Sequence, residues 1–174
     1  FRPDYRRIRQ VLTDLPAGIP VLATTATANA RVTRDVAEQL GGEDVLVLRG
    51  ELDRESLSLA VLELPRPEER LAWLADHLDE MDGSGIIYTL TVAQAETVAS
   101  YLRGRGHDVV AYTGRTETAD RQQAEDDLLH NRVKALIATS ALGMGFDKPD
   151  LGFVLHLGAP QSPIAYYQQV GRAG

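Results

Sequence analysis

Three short stretches of this 174-residue sequence carry residue types suited to phosphate and sugar hydroxyls. The longest is ATSALGMGFDKPD, residues 138–150. Thr139 and Ser140 offer hydroxyls there, and Gly143 and Gly145 let backbone N–H groups approach an anion closely. Asp147 is a fixed carboxylate able to accept from a ribose hydroxyl, Lys148 adds a cation, and Pro149 stiffens the exit. A plain glycine turn between two strands fits the same letters. The second stretch, ATTATAN at 23–29, sets Thr25, Thr27 and Asn29 just after an apolar run. Open α/β sheets bind ligands at that end of a strand, although a threonine-rich helix cap has the same composition. The third, QQVGRAG at 168–174, places Arg172 among small residues at the end of a helical stretch. Its planar donor fork suits phosphate, and a solvated surface arginine is the ordinary alternative.

Short apolar runs alternate with amphipathic stretches and must supply the frame. IPVLAT (19–24), VLVL (45–48), LSLAVLEL (57–64), GIIYTL (85–90), DVVAY (108–112), VKALIAT (133–139) and FVLHL (153–157) read as strands. Several are apolar on both faces, as in buried parallel sheets. Helices are expected over 3–15, 29–40, 68–81, 91–105 and 118–131, and again around YYQQ. In the third of these, Leu71, Leu74, Ala75 and Leu78 share one face. Asn29 and Thr91 can cap helix starts, and Gly41, Gly42 and Gly104 helix ends. Such alternation means an α/β fold with a mostly parallel sheet. RGELDRES (49–56) is charged and aperiodic, so a boundary is expected there. The part before it has too few elements to close a sheet, and the part after it ends on a helix, so both lobes are expected to be cut.

Composition narrows the chemistry. The chain is 44% hydrophobic and 25% charged, which is ordinary for a globular domain. Cysteine is absent, which removes disulfides and thiolate metal sites from this stretch. His77, His107, His130 and His156 lack paired ligand spacing, so no metal site is expected. The net charge of −7 argues against coating nucleic acid by bulk charge, while leaving room for a local track of placed donors. With no signal segment and no long apolar run, the reading is a soluble, intracellular piece of something larger, without a membrane partner.

The order of these stretches resembles the RecQ family of superfamily-2 DNA helicases, over essentially the whole chain. FRPDYRRIR (1–9) is similar to the segment after that family's Walker B box and aromatic-rich loop. TATA (25–28) resembles motif III, SGIIYT (84–89) motif IV, ATSALGMGFDKPD motif V and YYQQVGRAG (166–174) motif VI. The GMGFDKP and YYQQVGRAG pair at this spacing is the most specific element. No GxxxxGK[ST] and no DEAD or DEAH box occurs in the sequence, so Walker A and B are expected upstream.

The resemblance implies a RecA-like architecture: three layers around a parallel sheet, preceded by the tail of another RecA-like lobe. It divides the chain into 1–50 (end of lobe 1), 51–56 (linker) and 57–174 (lobe 2, cut within motif VI). It implies an ATP-driven DNA helicase moving 3′ to 5′, serving DNA repair and recombination in the bacterial cytoplasm at the nucleoid. ATP and Mg2+ are its cofactors, held mainly upstream, and single-stranded and forked DNA its partners. Arg172 (a cis arginine finger) and Gln168 would face the γ-phosphate, and Asp147 and Gly145 the rest of the nucleotide. Thr139, Ser140 and Gly143 would contact DNA, and Arg115, where the chain departs from the family pattern, is expected to supply a DNA backbone contact of its own. Thr25 and Thr27 would couple the two sites. Leu90 and Val92 stand where many relatives carry Asn and Arg, and TGR (113–115) replaces His-Ala-Gly. Two alternatives stay open: a RecA-like ATPase that remodels nucleoprotein without unwinding, and an RNA helicase. Against the second, the DEAD-box motif VI begins with His-Arg, where this chain has Gln168 and Gln169.

Overall fold

The computed structural model describes residues 8–16, 19–25, 30–40, 45–50, 56–140, 142 and 146–173. The chain divides into two compact units, Phe1–Asp53 and Arg54–Gly174. In the first, helix α1 (Ile8–Asp14) packs against α2 (Ala30–Leu40).

The second unit is built around four parallel strands: β1 (Ser84–Thr89), β2 (Val109–Tyr112), β3 (Ala135–Ala138) and β4 (Leu151–Leu157), in the order β2-β3-β1-β4. Alternation along β1 and β3 sends side chains to two separate cores. Ile87, Ala135 and Ile137 join Leu74 of α3 (Pro67–His77), Leu78 of the following 3-10 turn, and Ala95, Val98, Ala99 and Leu102 of α4 (Val92–Gly104). On the other face Ile86, Tyr88, Leu136 and Ala138 meet Ala124 and Leu128 of α5 (Thr118–Leu129). Helices on both faces make the expected three-layer α/β sandwich around a parallel sheet. Strands buried on both sides explain why GIIY and ALIA read as unbroken apolar runs.

Local signals set the helix ends. Thr91 Oγ1 accepts from the Gln94 amide at 3.1 Å to open α4. Ser162 does the same for α6 (Pro163–Val170), accepting from Ala165 N at 3.1 Å, with Pro163 in the first turn. Beyond α4 the left-handed position is Gly106, at φ +93°, rather than the expected terminator Gly104. The expected caps Asn29, Gly41 and Gly42 lie outside the described residues.

The strands expected at 19–24, 45–48 and 57–64 do not form among the described residues. Leu22, Leu46, Leu48, Leu59 and Val61 are all at least 67% exposed. Their apolar pattern is strand-like, but a strand exists only when a neighbour takes up its N–H and C=O groups, and among the described residues no neighbour pairs with these segments. Among the described residues no helix is long and apolar enough to cross a membrane.

Candidate functional site

Because the four strands are parallel, their carboxyl ends share one edge of the sheet. The register aligns Tyr112 with Ala138, Ala138 with Tyr88, and Tyr88 with His156, so these four form a row just inside that edge. Thr113 and Thr139 follow this row directly in the sequence.

After Ala138 the chain turns at Thr139, whose amide donates to Tyr112 O at 3.4 Å and whose carbonyl accepts from Leu142 N at 3.5 Å. Thr139 is half-buried and Ser140 exposed. Leu142 and Phe146 then fold back onto the core that contains Tyr88, Tyr112 and Ala138. This anchors both ends of the intervening loop and leaves Asp147 exposed beyond it. Gly143 and Gly145 lie outside the described residues.

Arg172 reaches the same loop from the other direction. Past α6 the Gly171 amide bonds Tyr167 O at 2.9 Å and the Arg172 amide bonds Gln169 O at 3.3 Å, a tight turn that buries Ala173 in the core. The half-buried Arg172 donates through Nη1 to Phe146 O at 2.9 Å and through Nη2 to Leu142 O at 3.4 Å. Its guanidinium therefore sits at the carboxyl edge, on the loop that carries Thr139 and Asp147. Tyr88 belongs to the core onto which Leu142, Phe146 and Ala173 pack. Burial pushes the Tyr88 phenol above its ordinary 10.0, and the charge of Arg172 pulls it only part of the way back.

Neighbouring glutamines take different roles. Gln168 is exposed on α6, whereas Gln169 turns inward, with its Oε1 2.9 Å from His156 Nε2. His156 stacks on Tyr88 with ring centroids 5.4 Å apart and 17° between planes, and Tyr166 closes over it at 5.5 Å. Burial lowers the His156 pKa below 6.5, opposed by its bond to Gln169, so the ring is held neutral. From the sequence His156 stands out only as a histidine without paired ligand spacing. The available signal was its place in FVLHL, in step with the apolar positions of a strand.

At the end of β2 the TGRT turn is self-bonded. Thr113 N donates to Thr116 Oγ1 at 3.1 Å, and Arg115 N donates to Thr113 Oγ1 at 3.2 Å. Thr113 is buried and Arg115 projects from the turn exposed. Lys148 departs from expectation. It was read as a cation for the glycine loop, yet its side chain is 1% exposed and Nζ bonds Asp150 Oδ1 at 2.7 Å and Leu129 O at 3.4 Å. The Asp150 carboxylate, held low by Lys148 and then by Asn131, keeps that ammonium inside. The lysine thus pins the loop exit to the end of α5 and is unavailable to an anion. In the first unit Thr25 is exposed, and Thr27 lies outside the described residues. Among the described residues no three His, Cys, Asp or Glu side chains gather as a metal site would need.

Residues 69–174 match the family described as helicase conserved C-terminal domain. Across its whole length the chain is 35% identical to the RecQ-like DNA helicase BLM of Xenopus laevis, covering 13% of that protein. It is 33% identical to the ATP-dependent DNA helicase RecQ of Pasteurella multocida, also over the whole chain and covering 27% of that protein. The chain spans 13–28% of the length of these and similar curated relatives from Haemophilus influenzae and Caenorhabditis elegans. Among solved structures, S. cerevisiae Dbp5 bound to RNA and ADP BeF3 aligns over 100% of this chain and 46% of its own, with a TM-score of 0.79 and 22% identity. The E. coli DEAD-box protein SrmB aligns over 62% of this chain and 64% of its own, with a TM-score of 0.57 and 26% identity.

Proposed function

Because this chain belongs to the helicase conserved C-terminal domain family, we propose that it supplies the arginine-bearing side of the motor in an ATP-dependent DNA helicase moving 3′ to 5′ in repair and recombination. In this reading residues 1–50 close a first RecA-like lobe, 51–56 link, and 57–174 form the second lobe.

The observation that carries the reading is the seat of Arg172. Its donors rest on carbonyls of Leu142 and Phe146, at the carboxyl edge where open α/β sheets bind ligands. A guanidinium that already lies across backbone carbonyls has the directed N–H groups a terminal phosphate would take over. Asp147, next to Phe146 and exposed, fits a ribose hydroxyl, and Gln168, exposed on α6, fits the phosphate side. Phosphoryl transfer asks little covalent chemistry of the protein. It needs positioning and positive charge where negative charge grows, and an arginine finger contributes about 10³–10⁵ in rate. The triphosphate grip and Mg2+ ligation belong to a Walker-type loop that this sequence does not contain, so the chain alone is expected to hydrolyse no ATP.

DNA would run along the same edge, held by Thr139 and Ser140 and by Arg115 on its braced turn. Few placed donors suit a chain of net charge −7. DNA is preferred over RNA because the relatives at 33–35% identity are named as DNA helicases, and because Gln168 and Gln169 replace the His-Arg of DEAD-box enzymes.

The test is Arg172→Ala in the full-length protein, assayed on tailed and forked duplexes with RNA duplexes as control. DNA-stimulated turnover should fall by about 10³ or more while nucleotide still binds. Turnover like wild type, or unwinding confined to RNA, would refute the assignment.

A further inference from the structure

Helix α6 leads into Arg172, but it is only eight residues long and none of them is buried. A helix this short draws its rigidity from tertiary contacts, and half-buried apolar contact is non-directional, so it leaves the roll of the helix loosely set. Gln169 supplies a directional tie. Its carbonyl accepts from the Arg172 amide at 3.3 Å, and its side-chain Oε1 lies 2.9 Å from His156 Nε2 on β4. One residue thus holds the backbone of Arg172 at one end and the sheet at the other.

We propose that Gln169 is a positioning residue for Arg172, with His156 as its anchor: the hydrogen bond between them fixes the roll of α6, and so the point from which the arginine side chain starts toward the carboxyl-edge loop. The inference rests on the reading of Arg172 as the group that meets the terminal phosphate.

The anchor is itself fixed. His156 pairs in register with Tyr88, and its ring stacks on the Tyr88 ring with centroids 5.4 Å apart and 17° between planes. The stack sets the plane of the imidazole, and with it the line along which Nε2–H points. An amide oxygen that accepts this proton must sit near that line. Tyr166, three residues before Gln169 on the same helix, meets the imidazole at 5.5 Å. Residues three apart are neighbours on a helix surface, so α6 grips one ring at two points, by a ring contact and by a hydrogen bond. Beyond Gln169 the chain leaves in a tight turn: Gly171 N bonds Tyr167 O at 2.9 Å, and Ala173 N bonds Val170 O at 3.1 Å. A rotation of α6 about its axis would therefore carry the backbone of Arg172 with it.

The experiment measures kcat and KM for DNA-stimulated ATP hydrolysis, together with melting temperature, for the full-length protein. The variants are Gln169→Leu, Gln169→Glu, His156→Phe, the Gln169→Leu/His156→Phe double variant and Arg172→Ala. Gln169→Leu removes the acceptor, and His156→Phe keeps a ring in the stack but removes the donor. Each is expected to lower kcat about tenfold or more, as misplacing a catalytic group does, with KM for ATP within about twofold of wild type. The double variant should lose no more than either single variant, because both break one bond. It should also melt within about 4 °C of wild type, since replacing both partners by apolar groups of similar shape is nearly neutral. Gln169→Glu keeps an acceptor for Nε2–H and should stay within about threefold of wild type. Wild-type kcat in Gln169→Leu or in the double variant, with Arg172→Ala crippled, would overturn the inference and leave the phosphate assignment standing. So would Gln169→Glu as slow as Gln169→Leu, losses that multiply in the double variant, or a double variant that melts far below wild type and so marks the pair as structural. Normal turnover by Arg172→Ala would instead remove the phosphate assignment itself.

Discussion

Replacing Gly152 with alanine tests how the carboxyl-edge row is held in register. Ser84 pairs with Leu151 and Gly85 with Phe153, so Gly152 is the extra residue of a bulge on β4. A Cβ at this position would stand 1.9 Å from Asp82 O and 3.3 Å from Gly83 Cα, where ordinary contact begins at 3.4 Å. The obstacle is backbone, in a turn already committed to a left-handed Gly83 at φ +66°, so no side-chain rotation relieves it. Overpacking of this kind costs about 1–3 kcal/mol, and a rigid carbonyl places the cost near the upper end. At about 2–4 °C per kcal/mol, the expected fall in melting temperature is about 6–12 °C. The assay is thermal unfolding by circular dichroism, with Gly104→Ala as control. Nothing lies within 4 Å of a Cβ on Gly104, and alanine at a helical position is favoured by about 0.5–1 kcal/mol, so the control should melt at or above wild type. If Gly152→Ala melted within about 2 °C of wild type, the bulge could not be what fixes the register. A slip by one residue would move His156 off the face that Tyr88 occupies, so the same variant should also lose near-ultraviolet signal from the stacked rings.

Two further outcomes follow from side chains at the same edge. If Arg115 holds a DNA phosphate, Arg115→Ala should make the salt dependence of single-strand binding shallower by about 0.7 per lost contact, measured by fluorescence anisotropy across a salt series; an unchanged slope removes Arg115 from the DNA track. His156 has a folded pKa depressed below 6.5 by burial, so below pH 6.5 the unfolded chain takes up a proton that the folded chain resists. Its contribution to stability is complete above that pH and declines as pH falls toward the folded pKa. Denaturant titrations at pH 7.5 and 5.5 should show a smaller loss for His156→Gln than for wild type, and equal losses would contradict the burial of a neutral ring.

The sheet was legible in the sequence because β1 and β3 are buried on both faces and so leave unbroken apolar runs. The segment 57–64 is similarly rich in apolar residues but has no neighbour to bond among the described residues, and local pattern carries no information about a neighbour. The site divides along a similar line. Thr139, Asp147 and Arg172 could be singled out because glycines and a change of pattern surround them, and the structure bonds Arg172 to the Leu142 and Phe146 carbonyls between the other two. Lys148 was misread because a lysine among glycines looks like an anion ligand. What decides its direction is Asp150, two residues on, together with the Leu129 carbonyl at the end of α5, and only the fold brings that carbonyl close.

Tyr88, His156 and Gln169 carry no site role in the sequence for a different reason. Each is ordinary in its own segment, and their meaning comes from register. Tyr88 and His156 are 68 positions apart in the numbering of the paired strands, yet adjacent in the sheet. Gln169 meets His156 only because the Ser162 cap fixes where α6 begins and therefore which glutamine faces inward. Arg172 inherits its position from all three constraints: the bulge at Gly152 aligns β4 with β1, that alignment stacks His156 on Tyr88, and the stack holds α6. A motif read as letters identifies the arginine, while the direction in which it points is a property of the strand register.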